Sequence, residues 1–189
     1  MLDLWGSEVA PLAAPSFSSP VRVAVFGSRS WPLSGPAAAL VSSFVSSLPA
    51  GSVVLSGGQR GADALASSCA FRAGLSVVSF PAPFSAAGPS GGPRRSAAAL
   101  RSVGPVGFPG CAPVVCSVPP RAWLSLRASS GPFVCPGPCG GVVAPVAACV
   151  VFWSGDAAVS PGSAAAVAAA RRAGVPCWSC SPSGEWSRG

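Results

Sequence analysis

"VVLSGGQRGADALASSCAFRAG", residues 53–74, is the stretch on which the reading of this chain turns. An apolar run stops at Gly57–Gly58, and Arg60, Gly61 and Asp63 follow. Ala62, Leu65, Ala66, Cys69 and Ala70 then recur at helical spacing as far as Gly74, a residue suited to ending a helix. The order is strand, loop, helix. Glycines let a backbone approach a phosphate closely, and the helix that follows offers free N–H groups and a positive dipole end. Arg60 adds a forked, charged donor.

The same grammar extends on both sides. "VRVAVFG" (21–27) reads as a buried strand, and apolar residues at helical spacing predict a helix over 37–48 with Pro36 in its first turn. "LSVVSF" (75–80) is a third strand, and Pro93 opens a short helix over 93–100. "VAACVVFW" (146–153) resumes a buried strand. A helix over 160–174 ending at Gly174 and a last strand at 175–180 complete the order. Alternating strands and helices predict an α/β, Rossmann-like three-layer domain with a parallel sheet. An irregular Gly/Pro/Cys-rich insertion at 103–145 interrupts it. The expected organisation is a flexible leader at 1–20, the domain at 21–180 and a tail at 181–189.

Composition sets outer bounds. The 189 residues are long enough for one core, and half of them are apolar. Lys, Asn, Ile, Thr, His and Tyr are all missing, which points to a bias in the coding sequence, so Ser can stand where relatives use Thr or Asn. The twelve basic residues are all Arg and oppose five acids, for a net charge of +7 that favours anionic partners. The arginines are scattered, without the basic and aromatic interleaving of a nucleic-acid surface. No apolar run is long enough to cross a membrane, and the acidic N-terminus does not read as a secretory signal. Eight cysteines in a chain with a plausible core are therefore expected as reduced thiols in the cytosol.

Three loops fall just past strand carboxyl ends: "GSRSW" (27–31), "SGGQRGAD" (56–63) and "SGDAAVSPGS" (154–163). Ligands of open parallel sheets bind at such positions. Each residue has a plainer reading as well. Asp63 can complement its helix start, Arg29 and Arg60 can be solvated, and Ser160 or Ser163 can be an N-cap. Arg171–Arg172 suits the last turn of its helix. Cys135 and Cys139 together with Cys177 and Cys180 could supply four thiolates to zinc. Positions three apart on a strand face opposite sides, however, which argues against Cys177 and Cys180 sharing one metal unless the strand ends between them; a redox pair is a further alternative, and buried or incidental thiols are the leading reading.

"VRVAVFGSRSW", "VVLSGGQRGADALASSCAFRAGLSVVSFPA" and "VVFWSGDAAVSPGSAAAVAAARRAGVP" together resemble the SLOG superfamily of Rossmann-like nucleotide-binding proteins, in its YspA-like, YpsA-related branch. "AAGPSGGPRRSAAAL" (86–100) is similar to that branch's Ala-Gly-Pro-x-Arg-Asn segment, with Ser96 in place of Asn. The resemblance covers residues 21–101 and 146–180. It implies a pocket for a nucleotide or nucleotide derivative formed by Gly27, Ser28, Arg29, Gly57, Gly58, Arg60, Gly61, Asp63, Ser160, Gly162 and Ser163, with Arg94 and Arg95 reaching over it. The superfamily includes the DNA-processing protein A and the LOG phosphoribohydrolases. Aligning Gly162–Ser163 with the Gly-Thr of the LOG motif puts Ala166 where the catalytic Glu belongs.

The leading expectation is thus a protein that binds a nucleotide or an ADP-ribose-like ligand as a sensor or accessory factor. In it Asp63 meets a ribose hydroxyl or orients Arg60. One alternative is a hydrolase of a nucleotide or N-glycosidic bond using Asp63 or Asp156 as general acid or base. Another is a nucleic-acid-binding protein of the DNA-processing type, and a third is a family member that keeps the fold without its ligand. A nucleotide is the expected ligand, no further cofactor is assigned, zinc at the four cysteines is the lesser alternative, no membrane partner is expected, and assembly into a homo-oligomer is left open.

Overall fold

The structure is a computed structural model and describes residues 12–106, 115–117 and 142–189. A seven-stranded sheet forms its centre. In chain order its strands are β1 (Arg22–Gly27), β2 (Val53–Ser56), β3 (Ser76–Ser79), β5 (Val115–Ser117), β7 (Val146–Phe152), β8 (Cys177–Cys180) and β9 (Trp186–Arg188). Across the sheet the order is β5-β3-β2-β1-β7-β8-β9, parallel throughout except for the antiparallel β9. Two further strands, β4 (Gly104–Val106) and β6 (Val142–Ala144), form a separate antiparallel ribbon.

Period-two alternation along the strands builds two cores. Val23 and Val25 of β1, Val54 of β2 and Ala148, Val150 and Phe152 of β7 face one side, where α1 (Gly35–Ser46) and α2 (Ala62–Arg72) cover them. Ala24 and Phe26, Leu55, and Cys149 and Val151 face the other side, beneath α4 (Gly91–Arg101) and α5 (Pro161–Ala173). Helices on both faces of a mostly parallel sheet make a three-layer, Rossmann-like α/β domain. A one-turn helix, α3 (Phe84–Ala87), precedes α4.

Small residues on the helices allow a close approach to the sheet. Ala62, Ala66 and Ala70 are fully buried on α2, as are Ala166, Ala169 and Ala170 on α5. Gly27 takes this to its limit, because a Cβ there would come within 2.5 Å of Ala62 Cβ and 2.6 Å of the Phe152 carbonyl. Four aromatics, Trp31, Phe44, Phe152 and Trp186, form a cluster with centroids 5.5–6.0 Å apart, Phe152 meeting Trp31 and Trp186 edge to face and Phe44 meeting Phe152 and Trp186 tilted.

Three expectations about organisation change. Leu12–Pro20, expected as part of a flexible leader, is anchored: Leu12 bridges to Trp186, and Phe17 packs against the first core. The expected tail pairs as β9, because Trp186 has apolar surface to bury in the aromatic cluster. Within 103–145, expected as irregular, residues 104–106, 115–117 and 142–144 are strands, of which β5 extends the main sheet beyond β3, while 107–114 and 118–141 lie outside the described residues. Arg22, on the strand expected to be buried, is itself buried with its guanidinium donating to Ser102 Oγ at 3.0 Å. No helix among the described residues is long and apolar enough to cross a membrane.

Candidate functional site

The chain leaves β1 on one side for β2 and on the other side borders β7, so the order of the sheet reverses at β1. In open α/β sheets the crevice outside the strand carboxyl ends at this point is where ligands bind. The strands end together there. Gly27 is opposite Phe152, and Val25 is opposite Ser56, the last residue of β2.

The first two loops are stitched to each other by backbone. The Ser28 carbonyl accepts the N–H groups of Trp31 and Ala62, both at 3.2 Å, and the Ser28 N–H donates to the Phe152 carbonyl at 3.0 Å. Ala62 opens α2, so one of that helix's unpaired N–H groups is already satisfied. Gly61 makes the stitch feasible. Its φ is +83°, and a Cβ there would collide with the Ser28 carbonyl and lie 2.8 Å from Arg29 Cα. Ser56 ties the second loop down, its Oγ accepting from Gly58 N–H at 3.2 Å and donating to the Asp63 carbonyl at 3.3 Å.

Asp63 lies under this network, 1% exposed. Its Oδ1 accepts the Gly27 N–H at 2.9 Å, and its Oδ2 faces Arg95 Nη1 at 3.4 Å. Burial pushes the Asp63 carboxyl up to about 6, although the Arg95 cation and N–H groups of Gln59, Gly27 and Gly57 pull it down. Arg95 is buried too, its guanidinium 5.3 Å from the centre of the Phe26 ring. Burial lowers its pKa, Asp63 raises it, and the nearby Arg29 cation lowers it again. Arg95 Nε has no hydrogen-bond partner. Gly57 lies directly against the pair, since a Cβ there would collide with both the guanidinium and Asp63 Oδ2.

Two expectations are corrected by this geometry. Asp63 neither points outward to a ribose nor orients Arg60; its carboxylate is turned inward, where its partners are Gly27 and Arg95. Of the arginine pair that opens α4, Arg95 enters the site while Arg94 is exposed. Arg29 and Arg60 are exposed at the loop tips, and Arg29 stacks over Phe84 at 5.8 Å. Ser28 is buried, its Oγ 2.9 Å from Ser30 Oγ.

The third loop is a turn leading into α5. Asp156 is exposed, and its Oδ1 accepts the N–H groups of Ala158 and Val159 at 2.8 and 3.4 Å. That carboxylate shapes its own loop and is not aimed at a reacting centre. Ser160 precedes the helix without a side-chain cap bond; instead its Oγ meets Ser163 Oγ at 2.8 Å, both side chains being buried. Gly162 is exposed, with open space where a Cβ would stand.

Cys177 and Cys180 lie at the two ends of β8 and face opposite cores, as the strand spacing predicts. Cys135 and Cys139 lie outside the described residues. Sequence reasoning missed Phe26, whose ring carries the Arg95 cation, and Ser56, which clamps Gly58. For Phe26 the signal was available in the alternation of β1. Comparison of the chain with protein families, with characterised proteins and with solved structures found no match.

Proposed function

We propose that this chain binds a nucleotide or nucleotide-derived ligand of the ADP-ribose type at the carboxyl ends of β1, β2 and β7. The observation that carries this reading is the charge balance of the crevice. Arg95 and the exposed Arg29 are close enough to repel each other, and the one carboxylate that Arg95 meets, Asp63, is buried where its own charge is disfavoured. A cation surplus in a poorly solvated place is relieved by an anion. Arg95 has an unspent Nε, Arg29 and Arg60 sit exposed on the first two loops, and Gly58 exposes backbone beside the buried Gly57. These features fit phosphate groups. In this reading Asp63 is a positioning residue, holding Arg95 beneath Gly57 and fastening the first loop through Gly27.

The hydrolase reading retains one favouring observation, the Asp63 carboxyl raised to about 6, near the range useful for proton transfer. Its burial against Gly27 and Arg95 favours binding without turnover. Isothermal titration with AMP, ADP, NAD and ADP-ribose, followed by chromatography of the recovered ligand, separates the two readings. Heat of binding with ligand recovered intact supports a binding protein, and product formation that Asp63→Ala abolishes supports the hydrolase. Salt-dependent binding of single-stranded DNA with no response to nucleotides would instead favour the nucleic-acid alternative.

A further inference from the structure

We propose that Cys149 and Cys177 form a peroxide-responsive dithiol, a modification site in which hydrogen peroxide joins the two side chains as a disulfide. The two residues are direct partners in the parallel pairing of β7 and β8. Adjacent strands are about 4.8 Å apart, inside the window of roughly 4.4–6.8 Å that Cα atoms of a disulfide occupy. Both side chains belong to the same core, beneath α5, whereas Cys180 faces the opposite core and cannot compete. Both are free thiols in the structure.

The pair is chemically asymmetric. The interaction between the facing thiols lowers Cys177 and raises Cys149; burial opposes the lowering of Cys177 and the Arg171 cation assists it. Cys177 is thus the thiolate that reacts first. Cys177 is 1% exposed and Cys149 fully buried, so oxidation requires local opening; Gly189 N–H donates to the Cys177 carbonyl at 2.9 Å at the end of the three-residue edge strand β9. Opening of such an edge admits a small neutral oxidant.

Two steps balance the reaction. The Cys177 thiolate attacks one oxygen of hydrogen peroxide, the O–O bond breaks, and hydroxide leaves, giving a sulfenic acid. The Cys149 sulfur then attacks the Cys177 sulfur, the S–O bond breaks, and the Cys149 proton leaves with the hydroxide as water. Two thiols and one peroxide become one disulfide and two waters. The site starts at the amino end of β8, away from the loops of the proposed ligand crevice, so this inference stands or falls separately from the nucleotide reading.

Peptide mapping tests it. The reduced full-length chain is exposed to hydrogen peroxide, alkylated, and digested with chymotrypsin, which cuts after Phe152 and Trp178 and so separates Cys177 from Cys180. The expected product joins the peptide ending at Phe152, through Cys149 by fragment sequencing, to the peptide ending at Trp178. Its mass is two hydrogens below the sum of the two. Dithiothreitol reverses it, Cys177→Ala prevents it, and Cys149→Ala replaces it with a Cys177 sulfenic acid that dimedone traps. Recovery of Cys149 and Cys177 as separately alkylated thiols overturns the proposal. So does a linkage that persists in Cys149→Ala, or fragments placing the bond on Cys135 or Cys139. The fragment assignment uses the unmodified sequence and does not depend on either variant folding.

Discussion

Arg95 and Asp63, on different helices and 32 residues apart in sequence, meet at 3.4 Å directly against the backbone of Gly57. The pair joins α4, which lies on one face of the sheet, to the start of α2 on the other, over the carboxyl ends of the central strands. One buried carboxylate thereby determines where the buried Arg95 of the crevice stands.

Gly57→Ala tests that contact. The new methyl occupies the place of the guanidinium and of Asp63 Oδ2, so the pair must separate. Overpacking of this kind costs about 1–3 kcal/mol, and separation of the buried charges adds to it. Gly58→Ala is the control. Its φ of +65° is unfavourable for alanine, but the nearest atom is Ser79 Cβ at 3.9 Å, so the cost is limited to about 1–2 kcal/mol. Urea midpoints are expected to fall further for Gly57→Ala.

The raised carboxyl gives stability a pH dependence of definite sign. Asp63 titrates near 6 in the fold, against 3.8 for an ordinary aspartate, so between those values the folded state holds a proton the unfolded chain has released. The contribution is fully present below the lower value and is lost as pH rises through the higher one; its size is about 3 kcal/mol. Urea unfolding across that range is expected to show the decline in the unmodified protein and a flatter profile in Asp63→Asn.

Arg95→Met moves the same profile in a known direction. The Arg95 cation lowers the Asp63 pKa, so its removal lifts the titration above about 6 and carries the loss of stability to higher pH. Phosphate-bearing ligands should bind about ten- to a hundredfold more weakly, the worth of a charge-assisted hydrogen bond. Arg94→Met, at an exposed position beside it, should leave the pH profile unchanged.

Ser160 and Ser163 make a second, independent cycle. Each hydroxyl is buried with the other as its partner at 2.8 Å. Either single alanine substitution strands a buried hydroxyl and should cost about 1–3 kcal/mol, whereas the double substitution should cost less than the two together. Thermal unfolding of the four proteins gives the coupling directly.

The layers and the three loops were readable from the sequence because they rest on local rules. Alternation in "VRVAVF", the Gly57–Gly58 stop and Gly174, whose φ of +68° ends α5, each announce an element without reference to the rest of the chain. The site was readable only as a neighbourhood. Nothing local to Asp63 shows that its carboxylate turns inward to Gly27, or that Arg95 and not Arg94 is the residue that enters. Those facts depend on which face α4 lays on the sheet. The strands at 104–106 and 115–117 and the edge strand at 186–188 were missed for a related reason. Each is three residues long; the first two are held by pairing to distant partners, and the third folds back on β8 across the short turn that follows Cys180.

The central claim is that the cation surplus at the carboxyl ends of β1, β2 and β7 holds a nucleotide phosphate. The most direct test is the melting temperature of the purified chain with AMP, ADP, NAD, ADP-ribose and inorganic phosphate, repeated in Arg29→Ala and Arg95→Met. A ligand at a hundred times its dissociation constant adds about 2.7 kcal/mol. The account predicts a rise in melting temperature with at least one nucleotide, larger than with phosphate and lost in both variants. A cooperative transition that no nucleotide moves, or a rise that both variants retain in full, would contradict it.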